Sequence, residues 1–488
     1  MSRPRSLVLI TVDCLRADHS GFLGYPRPTT PFLDSLAAES LIFRNTIAAG
    51  VPTYYSFPAI MAGRYPLALG RDVIGLAPGE PTLASVLHEA GYATGAFIAA
   101  NPYLSARFGY AAGFEKFEDF LTAERGTAHG KRAEGGVGTR LNASLMKFAG
   151  RLGPLGGLYD ELYFRYGMWR ANRTEATLDE LRPYPAANIL IEGAVKWLQE
   201  VAGRPFFLWL HFMDTHLPFY PGQAAQNDLG VPGVSLSRMQ FLNGYWNRKG
   251  IARQRLRRYR EEMIGLYDCS IRWVDAQVGQ FVGALRTAGI WQNCVLALTA
   301  DHGEEFLEHG DRFHSAGNLH DELTRVPLLL RLPTGAKREI EGPFSTLHLP
   351  ATLLQALEVP APPEFRGGSS LAKILDGGDG QDAAVTEGLA RATNPQRAEA
   401  ELHSRVLGVR ERRYRIVFDF RTRHESLYDL QNDPQELRPL PAGTETIVRR
   451  RLLERCRQHM DEAEHRRDPQ ARMNLLLDDL RFSSGSRS

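Results

Sequence analysis

The chain has 488 residues, of which 43% are hydrophobic and 23% charged, with 46 Gly and 29 Pro. This composition excludes collagen-like, coiled-coil and disordered classes, and the length allows about three domains of ~150 residues. The 58 basic and 56 acidic residues leave a net charge of +2, so no overall excess of charge favours nucleic acid or an anionic membrane as a partner.

The cysteines and the first apolar run predict a cytoplasmic location. The four cysteines, at positions 14, 269, 294 and 456, lie far apart without CxxC spacing, which argues against a disulfide framework or a structural zinc site. The apolar run 7–12 is shorter than the core of a signal peptide, and no run approaches the ~20 apolar residues of a membrane span. We therefore expect no membrane span.

Strand and helix patterns alternate along the chain and predict an α/β fold with a doubly wound, mostly parallel sheet flanked by helices. The continuous apolar run 7–12 is typical of a strand that is covered on both faces. A helix over 82–90, closed by Gly91, then precedes a strand over 93–99. The later predicted elements are a helix at 187–200, a strand at 205–211, a long helix at 260–288 and a strand at 294–299.

Two segments interrupt this alternation inside the predicted catalytic domain, residues 1–345. Residues near 121–182 are rich in Gly, Ala and basic residues without a period, and residues near 222–260 are polar and contain Gly. Such patterns predict surface insertions that could act as lids.

The C-terminal part has a different character. Between residues 346 and 440, strands such as 405–409 and 413–418 predict hairpins and a smaller antiparallel α+β subdomain. Residues 441–488 form a charged helical tail with scattered leucines. This tail either packs on the tail of a second copy, giving a homo-oligomer, or docks on its own domain, and we favour docking.

Acidic residues follow two predicted buried strands, at the position where ligands collect in open α/β sheets. Asp13 follows the strand 7–12, and Asp301 and His302 follow the strand 294–299. If these strands are neighbours, their ends converge and supply oxygen and nitrogen ligands suited to Ca²⁺, Mg²⁺, Mn²⁺ or Zn²⁺. A single Asp in this place is often only a turn former, but the combination with His302 favours a metal site.

A hydroxyl and an imidazole are further candidates. Thr53 precedes a helical run over 54–62, so it either caps that helix or places its oxygen where the helix dipole stabilises an oxyanion or a bound phosphate or sulfate. His216 lies beyond the strand 205–211 and is a candidate for a substrate contact, whereas we expect His211 to be structural.

The segment from residue 301 to residue 320 is unusually rich in histidine. It contains His309, His314 and His320 in addition to His302, in a chain with only 14 His. We expect at least one of them to reach the site.

Six motifs in this order resemble the sulfatases of the alkaline phosphatase superfamily. The resemblance covers roughly residues 5–440 and implies the fold of that superfamily. Its members include sulfatases, phosphatases, phosphodiesterases, phosphonate hydrolases and phosphotransferases. The motifs are VDCLRADH at 12–19, TYYSFPAIMAGRYP at 53–66, MDTH at 213–216, ADHGE at 300–304, TRVP at 324–327, and LYDL at 427–430 with DP at 433–434.

The resemblance implies a metal-held nucleophile that attacks a phosphoryl or sulfuryl centre. The attack forms a covalent intermediate, which water or a second alcohol releases. By this resemblance Asp13, Asp301 and His302 match metal ligands, and Thr53 matches the nucleophile and a further metal contact. The cofactor expected on this basis is a divalent metal, Zn, Mn, Ca or Mg.

The same resemblance assigns histidines to the substrate. His216 and His314 match the histidines that bind substrate or protonate the leaving group, so both are predicted catalytic and substrate-binding residues. We add His309 to the predicted substrate-binding set.

The sequence departs from the sulfatase pattern at the nucleophile. In the sulfatase signature Cys-x-Pro-Ser-Arg, the Cys becomes formylglycine. Counting back ten residues from Gly63 gives Thr53, and Phe57 stands in place of the Arg. A threonine cannot become formylglycine, whereas a Thr nucleophile is typical of the superfamily's phosphodiesterases and phosphotransferases. This departure favours phosphoester chemistry.

A second departure is Cys14, which stands where sulfatases usually have a second metal-binding Asp. A thiol is a softer ligand than a carboxylate and would favour Zn or Mn over Ca. The alternative is that Cys14 is only packed, and we favour this alternative.

Three functions remain open at this point. The first is metal-dependent hydrolysis or transfer of a phosphoester, on a small-molecule or glycan-type substrate, with Thr53 as the nucleophile. The second is hydrolysis of a sulfate ester by the same unmodified site. The third is a catalytically silent binding protein that keeps the fold, for which Phe57 and Cys14 are the supporting departures.

Overall fold

The structure is a computed structural model that describes residues 5–69, 74–121, 165, 177–231, 233–390 and 405–465. The strands, in chain order, are β1 (Ser6–Val12), β2 (Leu41–Ile47), β3 (Ala93–Ile98), β4 (Lys116–Glu118), β5 (Phe206–Phe212), β6 (Cys294–Ala300), β7 (Glu305–Phe306), β8 (Arg312–Phe313), β9 (Arg325–Arg331), β10 (Arg338–Ser345), β11 (Ala384–Leu389), β12 (Arg405–Arg410), β13 (Tyr414–Asp419) and β14 (His424–Asp429).

The α-helices of these described ranges lie between the strands. They are α1 (Pro31–Ala37), α2 (Thr53–Ala62), α3 (Leu83–Glu89), α4 (Leu178–Leu181), α5 (Ala187–Glu200), α6 (Gln223–Asp228), α7 (Leu236–Trp246), α8 (Arg253–Arg257), α9 (Arg260–Thr287), α10 (Asp321–Thr324), α11 (Leu349–Ala356), α12 (Leu371–Leu375) and α13 (Thr446–His465).

An eight-stranded sheet, in the order β10-β2-β9-β6-β1-β5-β3-β4, forms the centre of the fold. All its strands are parallel except β9, which runs antiparallel to both β2 and β6. Every residue of β1, β5 and β6 is buried, because helices cover both faces of the sheet. This architecture confirms the predicted doubly wound, mostly parallel fold.

Two apolar layers enclose the sheet. Helices α5 and α9 pack on one face with buried side chains such as Trp197 and Phe281, and α2 and α11 pack on the other with Phe57 and Leu353. The α3 helix shows the local signals for its boundaries. Thr82 caps its first turn by accepting a hydrogen bond from the backbone of Ser85, and Gly91 follows its end with a φ of 87°.

The segment 222–260 is not a surface insertion throughout, which corrects the sequence-based interpretation. It contains α6, α7 and α8, and Leu242 and Trp246 of α7 are buried in the main core. The polar residues in this segment obscure, in the sequence, the apolar periodicity of the helix face that is buried. The other predicted insertion, 121–182, lies mostly outside the described residues.

A separate four-stranded antiparallel sheet, in the order β11-β12-β13-β14, follows the main sheet and confirms the predicted C-terminal subdomain architecture. Helix α13 packs on this sheet through Leu452 and Cys456, which are 0% and 1% exposed. The leucines at 475–477 and 480 lie outside the described residues, so an oligomer through the tail stays a prediction. The exact division of the chain into domains stays a prediction as well.

None of the described helices combines the length and the hydropathy that crossing a bilayer would require.

Candidate active site

The carboxyl ends of β1, β5 and β6 meet at one edge of the sheet. Val12 is in register with Phe212 of β5 on one side and with Ala300 of β6 on the other. Asp13 and Asp301 are the next residues of their strands, so the predicted convergence of these two strand ends is confirmed. Both carboxylates are fully buried.

Thr53, the first residue of α2, places its hydroxyl between the predicted metal ligands. Its Oγ1 lies 3.4 Å from Asp13 Oδ2 and 3.1 Å from His302 Nε2, and the residue is 5% exposed. The hydroxyl therefore lies at the N-terminus of a ten-residue helix, where backbone N–H groups and the helix dipole stabilise negative charge.

His302 is oriented by its own turn. Its Nδ1 lies 2.8 Å from the carbonyl oxygen of Gly303 and donates to it, so Nε2 keeps its lone pair on the side of Thr53. Burial lowers the pKa of His302 to about 4, which keeps the imidazole neutral and able to act as a ligand.

The two carboxylates have opposite pKa shifts. Burial and the neighbouring Asp13 raise the pKa of Asp301 to about 7. Burial also raises the pKa of Asp13, but the neighbouring imidazoles of His211, at 3.5 Å, His216 and His302 outweigh it and hold the pKa below its usual value. The opposite shifts mean that Asp13 takes a negative charge more readily than Asp301.

The side chains of this group fit a divalent cation. Asp13, Asp301 and His302 each offer one donor atom, and the three atoms lie within 4.8 Å of one another. Asp301 Oδ2 is buried and has no hydrogen-bond partner, although a carboxylate oxygen of this kind normally has one. Two carboxylates, an imidazole and the Thr53 hydroxyl form a donor set suited to Zn or Mn and acceptable to Mg or Ca.

Cys14 lies beside this group, with its thiol next to Asp13 and the imidazoles of His302 and His314. Its Sγ lies 3.0 Å from Asp13 Oδ1, 3.6 Å from His314 Nδ1 and 3.9 Å from His302 Nδ1. The residue has a φ of 59°, and the Tyr267 hydroxyl donates to its carbonyl oxygen at 2.7 Å. Burial and neighbouring carboxylates raise the pKa of the Cys14 thiol well above its usual value.

His216 and His314 both reach the edge of the site. Their ring centroids are 5.2 Å apart, and the ring of His314 lies 4.6 Å from that of His302. His216 Nδ1 lies 2.6 Å from the carbonyl oxygen of Leu217 and donates to it, and burial lowers its pKa. Burial would also lower the pKa of His314, but the Glu304 carboxylate at 3.4 Å raises it above its usual value.

The structure does not bring His309 into this group. Its ring stacks on His320 at 3.5 Å, and its Nε2 lies 3.3 Å from Glu322 Oε1. Closeness in the sequence to His302 and His314 does not place it near them, because the short β7–β8 hairpin turns the chain between them.

Two contacts of Asp13 escaped the sequence analysis. Asn101 follows β3 at the same sheet edge and donates from Nδ2 to Asp13 Oδ2 at 3.1 Å. His211, predicted to be structural, directs Nε2 to the same oxygen at 3.5 Å, while its Nδ1 contacts Thr11 Oγ1 at 2.9 Å. A polar residue three positions after the end of a parallel strand was the available signal for Asn101.

A cleft of about 630 Å³ opens next to the two histidines. His216 and His314 lie at its border, and Tyr220, Phe313 and the amides of α7 line the rest. Among its described lining residues there is no Lys, Arg, Asp or Glu. The cleft is therefore a mixed apolar and amide surface that reaches the two histidines at the edge of the site.

A doubly wound α/β sheet with a buried hydroxyl, two carboxylates and an imidazole at the ends of its strands is the arrangement expected of a hydrolase of the alkaline phosphatase superfamily. The family model for sulfatases matches residues 5–359, and the chain belongs to the sulfatase family. This confirms the resemblance drawn from the six motifs. A model for the C-terminal part of N-sulphoglucosamine sulphohydrolase matches residues 308–462.

Curated relatives are similar over part of their length. The uncharacterized sulfatase YidJ of Escherichia coli is 28% identical over 36% of this chain and 33% of its own. The steryl-sulfatase of Mus musculus is 26% identical over 68% of this chain and 58% of its own. The chain thus spans between a third and about three fifths of these two relatives. An arylsulfatase of Clostridium perfringens is 25% identical over 67% of this chain and 68% of its own.

Solved structures share the fold at low sequence identity. A phosphonate monoester hydrolase of Agrobacterium radiobacter superposes with a TM-score of 0.66 at 19% identity and covers 94% of this chain and 96% of its own. A phosphonate monoester hydrolase from Silicibacter pomeroyi gives a TM-score of 0.67 at 18% identity, with 95% and 96% covered.

Proposed function

We propose that this protein is a metal-dependent esterase that hydrolyses or transfers phosphoesters, with Thr53 as the nucleophile. The observation that carries the proposal is the position of the Thr53 hydroxyl, 3.1 Å from His302 Nε2 and 3.4 Å from Asp13 Oδ2 at the start of α2. A cap alone would need neither the imidazole nor the carboxylate, and the N-cap position of this helix is occupied by Pro52, so Thr53 is the first helical residue and not the cap.

Asp13, Asp301 and His302 would hold the divalent cation, Zn, Mn, Mg or Ca. When bound there, the cation would lower the pKa of a coordinated hydroxyl and neutralise charge on the reacting phosphoryl group. The N-terminus of α2 adds its dipole at the same oxygen. Asn101 and His211 hold Asp13 in its orientation.

His314 is our candidate for the acid that protonates the leaving group. Its Nδ1 faces the Glu304 carboxylate at 3.4 Å, which favours the charged imidazolium. His216 is fixed by the carbonyl oxygen of Leu217 and its pKa is lowered by burial, so it fits a neutral contact to the substrate. Both histidines border the cleft into which the leaving group would extend.

The charge of the site favours a monoanionic substrate. In the described part of the chain, the ion-pair partners of Asp13 and Asp301 are all imidazoles. Arg16, the closest basic residue in sequence to Asp13, is already paired with Asp18 and Glu308. A phosphodiester carries one negative charge, whereas a phosphomonoester dianion would need further cationic partners. We therefore expect phosphodiesters to be better substrates than phosphomonoesters.

The cleft suggests the kind of leaving group. Its described lining combines aromatic rings, such as Tyr220 and Phe313, with the amides of Gln240 and Asn247. Such a surface fits a neutral small-molecule or glycan-type alcohol better than a charged one.

Sulfate ester hydrolysis is the second candidate function. Family membership favours it, and a sulfate monoester carries the single negative charge that this site accommodates. The hydroxyl of Thr53 would then act without the formylglycine chemistry that the resemblance assigns to sulfatases.

We also propose a cytoplasmic location, because all four cysteines are free and buried.

Three chromogenic esters and two Thr53 variants test the function. Wild-type protein of known metal content is assayed on bis-nitrophenyl phosphate, nitrophenyl phosphate and nitrophenyl sulfate. Thr53→Val keeps the branched shape without the hydroxyl and should lose about 10³-fold or more in kcat/KM. Thr53→Ser keeps a hydroxyl and serves as the matched control, with most of the activity retained.

Each outcome decides between the candidates. Turnover of the phosphodiester that Thr53→Val abolishes supports the first function. Turnover of the sulfate ester alone establishes the second. A metal-free protein without turnover would indicate a silent binding protein, and full activity of Thr53→Val would refute Thr53 as nucleophile.

A further inference from the structure

A second cluster of ligand-type side chains lies outside the site described above. His309 Nε2 lies 3.3 Å from Glu322 Oε1, and His320 Nδ1 lies 3.3 Å from Glu436 Oε2. The donor atoms of His309, His320 and Glu436 lie within 4.8 Å of one another. The cluster joins the segment after β6 to the segment after β14.

The cluster holds buried polar atoms that lack hydrogen bonds. His309 Nε2, His320 Nδ1, Glu322 Oε1 and Glu436 Oε1 are buried and have no partner in hydrogen-bond geometry, although each lies 3.2–3.3 Å from an oppositely charged group, Glu436 Oε1 from Arg415 Nε. Glu436 is 1% exposed and Glu322 is 7% exposed. Native structures contain few such atoms, so four in one place require an explanation, and a bound ion is one.

The charges around the cluster leave an excess of negative charge. Glu322, Glu436 and Asp321 contribute three carboxylates. Arg415 pairs with Asp321 and Glu436, and Arg410 pairs with Asp321. With neutral imidazoles the group carries about one negative charge, so a dication can enter without a like-charge excess.

We propose that His309, His320, Glu322 and Glu436 bind a divalent cation of the Zn²⁺ type. Two imidazoles and two carboxylates match the nitrogen and oxygen ligands of four-coordinate zinc sites. The two rings are parallel, with 3.5 Å between centroids, so they must tilt apart to point at one ion. Their side chains are 15% and 19% exposed, so both rings have one side in contact with solvent.

The site would stabilise the turn that carries the active-site residues. His320 precedes α10, Glu322 lies within it, and the backbone N–H of Gly303 donates to the carbonyl oxygen of Leu323 in the same helix at 2.9 Å. Glu436 comes from the chain after the antiparallel sheet and accepts from the backbone N–H of Asp321 at 2.7 Å. An ion here would fasten the antiparallel sheet to the loop that follows β6.

Zinc content of four forms of the full-length protein tests the proposal. Each form is stripped with chelator, dialysed against Zn²⁺ alone, and analysed for bound zinc per chain. Asp301→Asn removes a ligand of the active-site group, and this single variant should retain one zinc. Adding His309→Gln and His320→Gln to Asp301→Asn should reduce the content to none. Adding His88→Gln and His424→Gln instead, which removes two exposed imidazoles elsewhere, should leave one zinc.

The proposal stands apart from the proposed function. If the active-site assignment fails, Asp301→Asn has the zinc content of wild type, and the His309 and His320 variants still lose one zinc. Equal zinc content with and without His309 and His320 overturns the second site and leaves two His–Glu ion pairs as the explanation of the cluster. Circular dichroism checks folding, and Glu322→Gln, which keeps the side-chain shape, should weaken zinc binding where the histidine variants do not fold.

Discussion

At Gly303, a single added methyl group should push the turn that carries His302 away from helix α10, on which this turn packs. A Cβ added at Gly303 would lie 1.9 Å from the carbonyl oxygen of Glu322 and 3.1 Å from Cγ of Arg16. Its φ is not in the left-handed region, so the conflict in Gly303→Ala is steric and not conformational. Real Cβ atoms essentially never approach closer than 3.0 Å, so turn and helix must move apart by about 1.1 Å.

This displacement acts directly next to His302. The hydrogen bond from Gly303 N–H to Leu323 would lengthen, and the carbonyl oxygen that orients His302 would move with it. Overpacking of this kind costs about 1–3 kcal/mol of stability, and a misplacement of 1 Å at a reacting centre costs about 10²-fold in rate. Gly303→Ala should therefore lower the unfolding free energy, the turnover rate and the affinity of the active site for metal.

The assay measures urea unfolding, bound metal and kcat/KM on bis-nitrophenyl phosphate. Gly283→Ala in α9 is the matched control, because a Cβ there meets nothing within 4 Å. In an exposed helix this change should add about 0.5–1 kcal/mol of stability and leave turnover unchanged. Wild-type metal content and turnover in Gly303→Ala would refute the packing argument.

Further changes test other parts of the molecule. Asn101→Ala removes a hydrogen bond to Asp13 and should weaken metal binding about 10–100-fold in competition with a chromophoric chelator; unchanged affinity would exclude Asn101 as a positioning residue. Cys14→Ser should keep the metal content if Cys14 is only packed, whereas loss of the ion would make it a ligand. Burial raises the pKa of Asp275 from 3.8 to about 6. The wild type should therefore lose about 3 kcal/mol of unfolding free energy relative to Asp275→Asn as the pH rises through that window. Urea unfolding of both proteins at pH 3.5 and pH 7 measures this loss, and an equal stability difference between them at the two pH values would contradict it.

The central strands and long helices were predictable because their patterns depend on local sequence. Helix α5 was predicted at its observed residues, and β1 and β6 to within one residue at each end. Buried apolar runs and amphipathic periods survive in any tertiary context that covers them. The convergence of Asp13 and Asp301 followed from the edge rule for parallel strands.

The features that could not be predicted from the sequence depend on packing between residues that are far apart in the chain. His309 was grouped with His302 because the two are close in the chain. In the structure His309 lies in the turn of the β7–β8 hairpin and stacks on His320 instead. The buried face of α7 could not be recognised in the sequence, because its apolar residues alternate with amides and Gly and the helical period is therefore weak. Contacts such as that of Asn101 with Asp13 join residues far apart in sequence.

Because β9 runs antiparallel to β6, the loop between these strands can change in length without altering the sheet. The chain leaves the sheet at Ala300 and re-enters it at Arg325 on the same edge. Everything between these residues stays on the site side, without a crossing to the far side. Changes after Gly303 in this span can therefore alter which imidazoles and carboxylates face the site while strand order and register stay unchanged. Residues 304–320, which follow the ligands Asp301 and His302 and the turn at Gly303, are thus the natural segment to exchange when this scaffold is redesigned for another ester.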